Sequence, residues 1–590
     1  MAGTLSVLLI GLPWLGALLV WLSGDARPKI LHILAVGTSV SAGLLSLILL
    51  AFAGSQPAVN FKFGGWFGDF TLVADGLGAT LAAVACVVGS LAVIYSVDYM
   101  QGEAQLRRYY AFILLFIGAM TGLVLSGNLF FTFFFWEITA LCSYALISYY
   151  NDDPKAVSGG MKALIITQVG GVGLLAGALA AFSNLGSFQI ADLLKGATSI
   201  PAGLLAFIAY GFLLAAAAKS AQFPFHTWLP DAMEAPTPVS ALIHAATMVN
   251  AGVYLLARFY PAFAQVPGWT LAVTLVGMLS ALTAGLMALT ATDLKRALAY
   301  STVSQLGYMV YAIGVGGVFA SQFHLLNHAV FKALLFLSAG AVIHSVGTRD
   351  MRKMGGLGSK MPFIRNVFII GALALAGVPI FNGFWSKEFI LEAGLKQGPV
   401  WAFGFMLFGA GLTAFYTIRM TWLVFYGQPR EQLHVHDSGL AMKISTGLLA
   451  TGALTTWLLA GPLSGLMSGS LPYHAIEPIS TINLVMDVLT GAGTWLALII
   501  LLVGAGLWVV VQRSPNPIPQ AHWFTELMGT FHEELVSSSF GFEWLNQQVV
   551  AAVKKSAAVL QKTQTGELNW NILGIIIALL AVLVMLFWGV

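Results

Sequence analysis

Four ionisable side chains stand inside apolar runs: Glu137 in LFFTFFFWEITALCSY, Lys219 in LLAAAAKSAQFPF, Lys332 in HLLNHAVFKALLFL and Lys387 in GVPIFNGFWSKEFIL. An ionised group at the centre of a spanning helix costs about 2.5–3.5 kcal/mol on insertion scales, so each needs a partner or a task. A structural ion pair or a snorkelling side chain is one account, and Glu388 is a ready neighbour for Lys387. A proton relay is the other. Burial disfavours the charged form of acid and base alike, so a coupled Glu and Lys can exchange protonation states near neutral pH.

Histidines extend that chemistry. His244 lies in ALIHAATMV, while His324 and His328 are four residues apart on one helix face, with Lys332 one turn further. A zinc pair would use the same spacing but lacks a third ligand, and His244 alone could serve only to hydrogen-bond a carbonyl. Pro224 follows Lys219 and Pro379 precedes Lys387. A helix broken at either proline frees backbone carbonyls to order water beside the lysine.

Other motifs fail. His434, His436 and Asp437 belong to a polar loop, His532-Glu533 is followed by Val536 rather than a second histidine, and Gly171-Val172-Gly173 follows no strand. Cys86 and Cys142 are too few to hold an iron–sulfur cluster from thiolates alone and give no disulfide framework. No metal or cofactor site is expected on this chain.

The elements that must position these groups follow from composition. Of 590 residues 58% are hydrophobic and 9% charged, and the net charge of +3 gives no footprint for nucleic acid. About sixteen runs approach the roughly 20 residues that cross a bilayer, starting near Leu5, which reads as a retained first helix, and ending with Ile572 to Val590. The fold class is therefore an all-α polytopic membrane protein. Loops after odd-numbered runs hold Arg27, Arg107, Arg108, Lys155, Arg296, Arg349 and Lys353, which predicts those loops inside and the N-terminus outside. Residues 512–570 open with SPNPIP and then space Phe542, Leu545, Val549, Val553 and Leu560 at steps of three or four, opposite Lys554, Lys555 and Lys562. This reads as an amphipathic lateral helix on the cytoplasmic side, lying against the bilayer or a neighbouring subunit, or packed on the protein's own surface.

Lys162-Ala163-Leu164 recurs as Lys332-Ala333-Leu334, and Lys219 and Lys387 follow at similar offsets, each near a proline. Paired, proline-interrupted segments are the expected sign of an inverted-repeat transporter.

The stretch KSAQFPFHTWLPDAMEAPTPVSALIHAATMVNAGVYLLAR, Lys219 to Arg258, and TDLKRALAYSTVSQLGYM, Thr292 to Met309, resemble the antiporter-like subunits of respiratory complex I, Mrp-type cation/proton antiporters and membrane-bound hydrogenases. The similarity runs from about Tyr95 to Glu392, and the lateral segment with its last span resembles the largest such subunit.

The resemblance implies two inverted five-helix repeats, at 109–260 and 261–426, between N-terminal spans 1–108 and C-terminal spans 427–511, with a lateral segment 512–570 and a final span 571–590. It makes Glu137 and Lys219 the coupled pair of the first half-channel. His244, Lys295, His324, His328 and Lys332 form the central relay, and Lys387 the exit. Where complex I members show Arg-Val-Gly-Asp, this chain has Gln168-Val169-Gly170-Gly171, which is more similar to the Mrp or hydrogenase branch.

The function implied is proton translocation in a prokaryotic plasma membrane as a non-catalytic subunit of a redox-driven complex. The alternative is a Mrp-type Na⁺/H⁺ antiporter driven by ion gradients only. Partners are other membrane subunits and the lipid bilayer, and the ions are protons, with sodium left open. A polytopic membrane enzyme is disfavoured, because no nucleophile, metal cluster or nucleotide motif is present. Metal analysis and optical spectra of the isolated polypeptide should show neither stoichiometric iron nor flavin.

Overall fold

The computed structural model describes residues 1–54, 58–62, 68–431, 435, 438–513 and 541–563. The expected final span, the first part of the lateral segment, and His434, His436, Asp437, His532 and Glu533 lie outside the described residues.

The helices are α1 Ala2–Ser23, α2 Pro28–Phe52, α3 Gly76–Tyr99, α4 Leu106–Leu125, α5 Leu129–Ile147, α6 Pro154–Leu185, α7 Ile190–Gly196, α8 Ala202–Lys219 and α9 Trp228–Asp231. Then come α10 Thr237–Phe263, α11 Trp269–Thr290, α12 Leu294–Gly314, α13 Val318–Val346, α14 Pro362–Ala376, α15 Asn382–Gln397 and α16 Val400–Phe425. The described chain closes with α17 Leu440–Ser470, α18 Thr481–Thr490, α19 Ala492–Arg513 and α20 Phe542–Thr563. A short hairpin pairs β1, Val59–Phe61, with β2, Phe70–Leu72.

Local chemistry sets several starts. Asp75, Asn128, Asp153 and Asp293 each accept from a main-chain N–H in the first turn of α3, α5, α6 and α12, the N-cap role short polar side chains perform best. Pro154 opens α6, where its missing N–H costs nothing.

Thirteen described helices are long and apolar enough to span. The difference from sixteen has physical causes beyond the undescribed last run. Helix α12 is long enough, but buried Lys295, Ser301, Thr302, Ser304 and Gln305 lower its apolarity. Helix α14 stops after 15 residues because the chain breaks at Gly377. α10 is wholly buried across its apolar window and α3 and α13 nearly so, whereas α2 and α19 are mostly exposed there, so the first three occupy the middle and the last two the periphery.

The basic loops share one face. Arg107 pairs with Asp25, Arg108 reaches the carbonyls of Ala145 and Ser148, Arg296 holds Asp231, Arg349 holds Glu234 and Asp293, and Arg430 donates to Met351 O. This is termed the basic face below. On the opposite face Asn128 and Gln189 both donate to Asp69 O.

Lys219 closes α8 ahead of its break, whereas Lys387 lies in the second turn of α15, after its break. The matching triplets also differ: Lys162 is bound to carboxylates and Lys332 to a hydroxyl.

Helix α20 meets the chain itself through its first turn. Phe542 packs on Phe223 with ring centroids 4.4 Å apart, Glu543 pairs with Lys162 at 2.7 Å, and Asn546 donates to Pro224 O and Thr227 Oγ1, both at 3.0 Å. Beyond that turn Val553, Val559 and Leu560 are exposed.

Helices α11 and α12 touch backbone to backbone. A Cβ on Gly307 would stand 2.6 Å from Gly277 O and Ala281 N, and one on Gly277 would stand 2.6 Å from Gly307 O. Small residues permit that approach where no water drives helices together. Gly307→Val should therefore separate the two helices at a cost of about 1–3 kcal/mol. The readout is a lower thermal midpoint of the purified protein in detergent, with Gly404→Val, at a position with open space around it, as the unaffected control.

Candidate ion-translocation site

Lys219 is fully buried. Its Nζ donates to Trp136 O at 2.7 Å and lies 4.8 Å from the Trp136 ring centroid. Glu137, the next residue of α5, is within electrostatic reach of that ammonium and of Gln168. The geometry is not the direct contact that a coupled pair suggests: Lys219 holds the carbonyl beside the acid, and Glu137 Oε1 has no hydrogen-bond partner among the described residues. A carboxylate left partly open in this way can take up and release a proton without first breaking an ion pair. Gly171 explains the space. A Cβ there would come within 2.5 Å of Glu137 Oε1, so the acid missing from that position makes room for this one.

Several groups in the break after Lys219 are satisfied by near neighbours, although Gln222 Oε1 and both ring nitrogens of His226 have no partner among the described residues. Ser220 donates to Val249 O at 2.6 Å, Gln222 Nε2 to Ser220 O at 2.9 Å, Phe223 N to Ser280 Oγ at 2.9 Å, and Trp228 Nε1 to Ala218 O at 3.0 Å. Pro224 lies mid-way in the link, its carbonyl taken by Asn546. Non-helical backbone at this depth survives only when neighbours supply such partners.

A second group of residues forms a row. Lys295 donates to Ala235 O at 2.6 Å, and His244 is within electrostatic reach of both Lys295 and Lys332. Lys332 donates to Ser301 Oγ at 2.7 Å. His328 is within reach of Lys332, His324 and His244, and His324 within reach of Lys332 and Lys387. The rings of His324 and His328 are 6.3 Å apart. The row therefore runs Lys295, His244, Lys332 with His328, His324, Lys387, and all six side chains are buried.

Partners along the row are neutral groups. His324 bridges Ser386 Oγ at 2.9 Å and Gln305 Oε1 at 3.1 Å. Both ring nitrogens of His244 and of His328 lack a hydrogen-bond partner among the described residues, so His244 is not anchored to a carbonyl. Lys387 Nζ lies 3.5 Å from Ala376 O, in the carbonyl end of α14 freed by the break around Pro379, and 5.5 Å from the Tyr308 ring. Glu388 is close enough to act on Lys387, yet no ion pair within 4.0 Å joins them and Glu388 Oε2 is unpartnered. No three His, Cys, Asp or Glu groups converge as a metal site among the described residues.

Sequence reasoning passed over three features. His244 sits in a π turn, Leu242–Ala246, a local widening common at functional sites that no residue pattern signals. Ser301, Gln305 and Ser386 line the row, and the polar run STVSQ within an apolar helix was the available sign of the first two. Lys162, visible only as part of a repeated triplet, is held by Asp231 at 2.8 Å and by Glu543.

Comparison with known proteins identifies the family. Residues 126–413 match the family model described as NADH:quinone oxidoreductase/Mrp antiporter, transmembrane, and residues 61–110 match complex I chain 5 N-terminus. The chain is 37% identical over 558 residues to a Na(+)/H(+) antiporter subunit A1 from Staphylococcus aureus, covering 86% of this chain and 68% of that one. It is similar to a chain in the Mrp complex from Dietzia sp. DQ12-45-1b, with TM-score 0.80 and 28% identity, over 99% of this chain and 63% of that one. A chain of the archaeal membrane-bound sulfane sulfur reductase aligns with TM-score 0.71 and 26% identity, over 81% of this chain and 99% of that one. The chain thus spans less than two thirds of the Mrp chain it matches in structure.

Two buried cations should respond oppositely to loss of charge. Arg258 is bound through both terminal nitrogens to Asp75, so Arg258→Met strands a buried carboxylate and should cost about 3–5 kcal/mol. Lys332 has only a hydroxyl, so Lys332→Met removes a desolvation burden and should leave the thermal midpoint unchanged or raised. Thermal unfolding of the two purified variants checks both.

Proposed function

The chain belongs to the family of NADH:quinone oxidoreductase and Mrp antiporter membrane subunits, and we propose that it carries protons across the bilayer as one subunit of a larger assembly. The observation that supports this best is the buried row from Lys295 to Lys387. Its groups are titratable and electrostatically linked, and where they are bound, as Lys295, Lys332 and His324 are, the partners are a carbonyl, hydroxyls and an amide rather than carboxylates. Permanent ion pairs would lock the charges. These partners let an amine or imidazole gain or lose a proton while keeping one hydrogen bond.

In this reading Glu137 and Lys219 load the first half, within 109–260, and the row, which takes His244 from that half, passes the proton through the second, 261–426, to Lys387. The helix breaks at Pro224 and Pro379 supply polar backbone at the two ends of the path. The basic face is cytoplasmic, which places the N-terminus outside and α20 inside, in a prokaryotic plasma membrane.

The likeness to Na(+)/H(+) antiporter subunit A1 favours exchange of protons for a second cation, driven by gradients alone. The likeness to a chain of the sulfane sulfur reductase supports the other coupling, in which partner subunits transfer electrons. A subunit inventory of the purified assembly separates the two: iron-bearing partners mean electron coupling, and their absence means antiport.

Lys219→Ala leaves Glu137 without its cation, and the acid then holds a proton permanently rather than stand charged in hydrocarbon. Glu137→Gln removes the opposite charge with little change of shape. Each single variant should lose roughly tenfold or more of ion translocation in proteoliposomes, and the double variant little beyond that, because one loss already disables the unit. Near-normal pumping by a properly assembled Lys219→Ala protein would refute the relay.

A further inference from the structure

On the basic face a cavity of 750 Å³ opens between the start of α6, the end of α9, the start of α12 and the loop after α13. That volume holds roughly twenty-five waters at liquid density. Its rim carries exposed Lys155, Ser158, Arg296 and Arg352. Its floor is a clasp. Arg349 pairs with Glu234 at 3.0 Å and Asp293 at 3.2 Å and donates to Met233 O at 3.1 Å, which ties the end of the α9 segment to the start of α12.

Behind that floor lies Lys295. It is buried, its Nζ is bound to the carbonyl of Ala235, the residue after Glu234, and the charged groups acting on it are Arg349, Asp293 and Glu234. All three line the cavity. One layer of side chains therefore separates bulk-accessible water from the first member of the buried row.

We propose that this cavity is the aqueous vestibule through which protons pass between the basic-face solution and Lys295, giving the row an opening of its own besides the Glu137–Lys219 half. The inference rests on the relay reading and adds a site to it. Water and hydrated protons are the ligands. The charged wall offers hydrogen-bonded paths, and the Arg349 clasp holds Glu234 and Asp293 at the point where the path must turn inward.

Cysteine accessibility tests it in the assembled complex, since native Cys86 and Cys142 are buried. Ser158→Cys lies on the rim; Thr198→Cys, exposed after α7 on the opposite face, is the control. With a membrane-impermeant charged maleimide, Ser158→Cys should react only from the basic-face side and translocation should then fall several-fold. Thr198→Cys should react only from the other side and keep its transport. Absence of reaction at Ser158→Cys in the assembly, reaction from the wrong side, or full transport after complete labelling would each overturn the vestibule. The first two outcomes are read without transport and so stand apart from any failure of the relay, which the Lys219→Ala variant tests separately.

Discussion

In hydrocarbon there is no water to receive a hydrogen bond, so every buried polar group must find its partner inside the protein. This chain meets that demand in two ways. Some charges are given a full counter-charge: Arg258 is locked to Asp75, and Lys162 is paired with Asp231 and Glu543. The lysines of the proposed relay are given dipoles instead. Lys219 and Lys295 hold carbonyls, Lys332 a hydroxyl, and Lys387 leans on a carbonyl and an aromatic face. The distinction is energetic. A dipole can solvate an ammonium and tolerate the neutral amine, whereas a carboxylate left beside a neutral amine would itself be stranded.

The helix interruptions follow from the same demand. A continuous helix already commits one lone pair of most carbonyls to its own N–H groups, so a side chain must share an acceptor, as Lys219 does with Trp136 O, or find one at a helix end. Ending α8 at Lys219 and α14 at Ala376 releases carbonyls inside the bundle, and in the first break the link's own Gln222 and Trp228 take two carbonyls while Ser280 of α11 accepts from Phe223 N. The link after Lys219 is also what the first turn of α20 grips, through Pro224, Thr227 and Phe223. The lateral helix is thus anchored to the transport unit at one end, whatever its exposed face meets.

Much of this was legible because a charge in an apolar run is conspicuous. Glu137, Lys219, Lys332 and Lys387 declared themselves by composition alone, and the i, i+4 spacing put His324 and His328 on one face. Hydropathy found the spanning helices, while α12 and α14 fall short of the length and apolarity threshold because α12 carries polar side chains inward and α14 is cut short. What the sequence hid was pairing. Adjacent letters proposed Lys387 with Glu388, but successive residues on a helix point apart and no ion pair forms. Conversely, nothing local could join Lys162 to Glu543, since they lie 381 residues apart. The π turn around His244 is equally silent, being set by packing rather than by residue type.

Like charges in one row also repel, and this bears on occupancy. His244 feels Lys295 and Lys332 together, and His324 feels Lys332 and Lys387. A proton on one member therefore raises the cost of a proton on the next, and the row holds fewer protons than it has groups. That shortfall is useful, because a hop needs an empty acceptor beside a filled donor. Among the described residues acids are present only near the ends: Asp293 and Glu234 beside Arg349 near Lys295, and Glu388 beside Lys387. Around Lys332, by contrast, the groups acting on the histidines are themselves bases. In the proposed relay, a proton passing between Lys295 and Lys387 would meet its most basic surroundings around Lys332, and a change of charge at Glu137 and Lys219 would tilt that threshold.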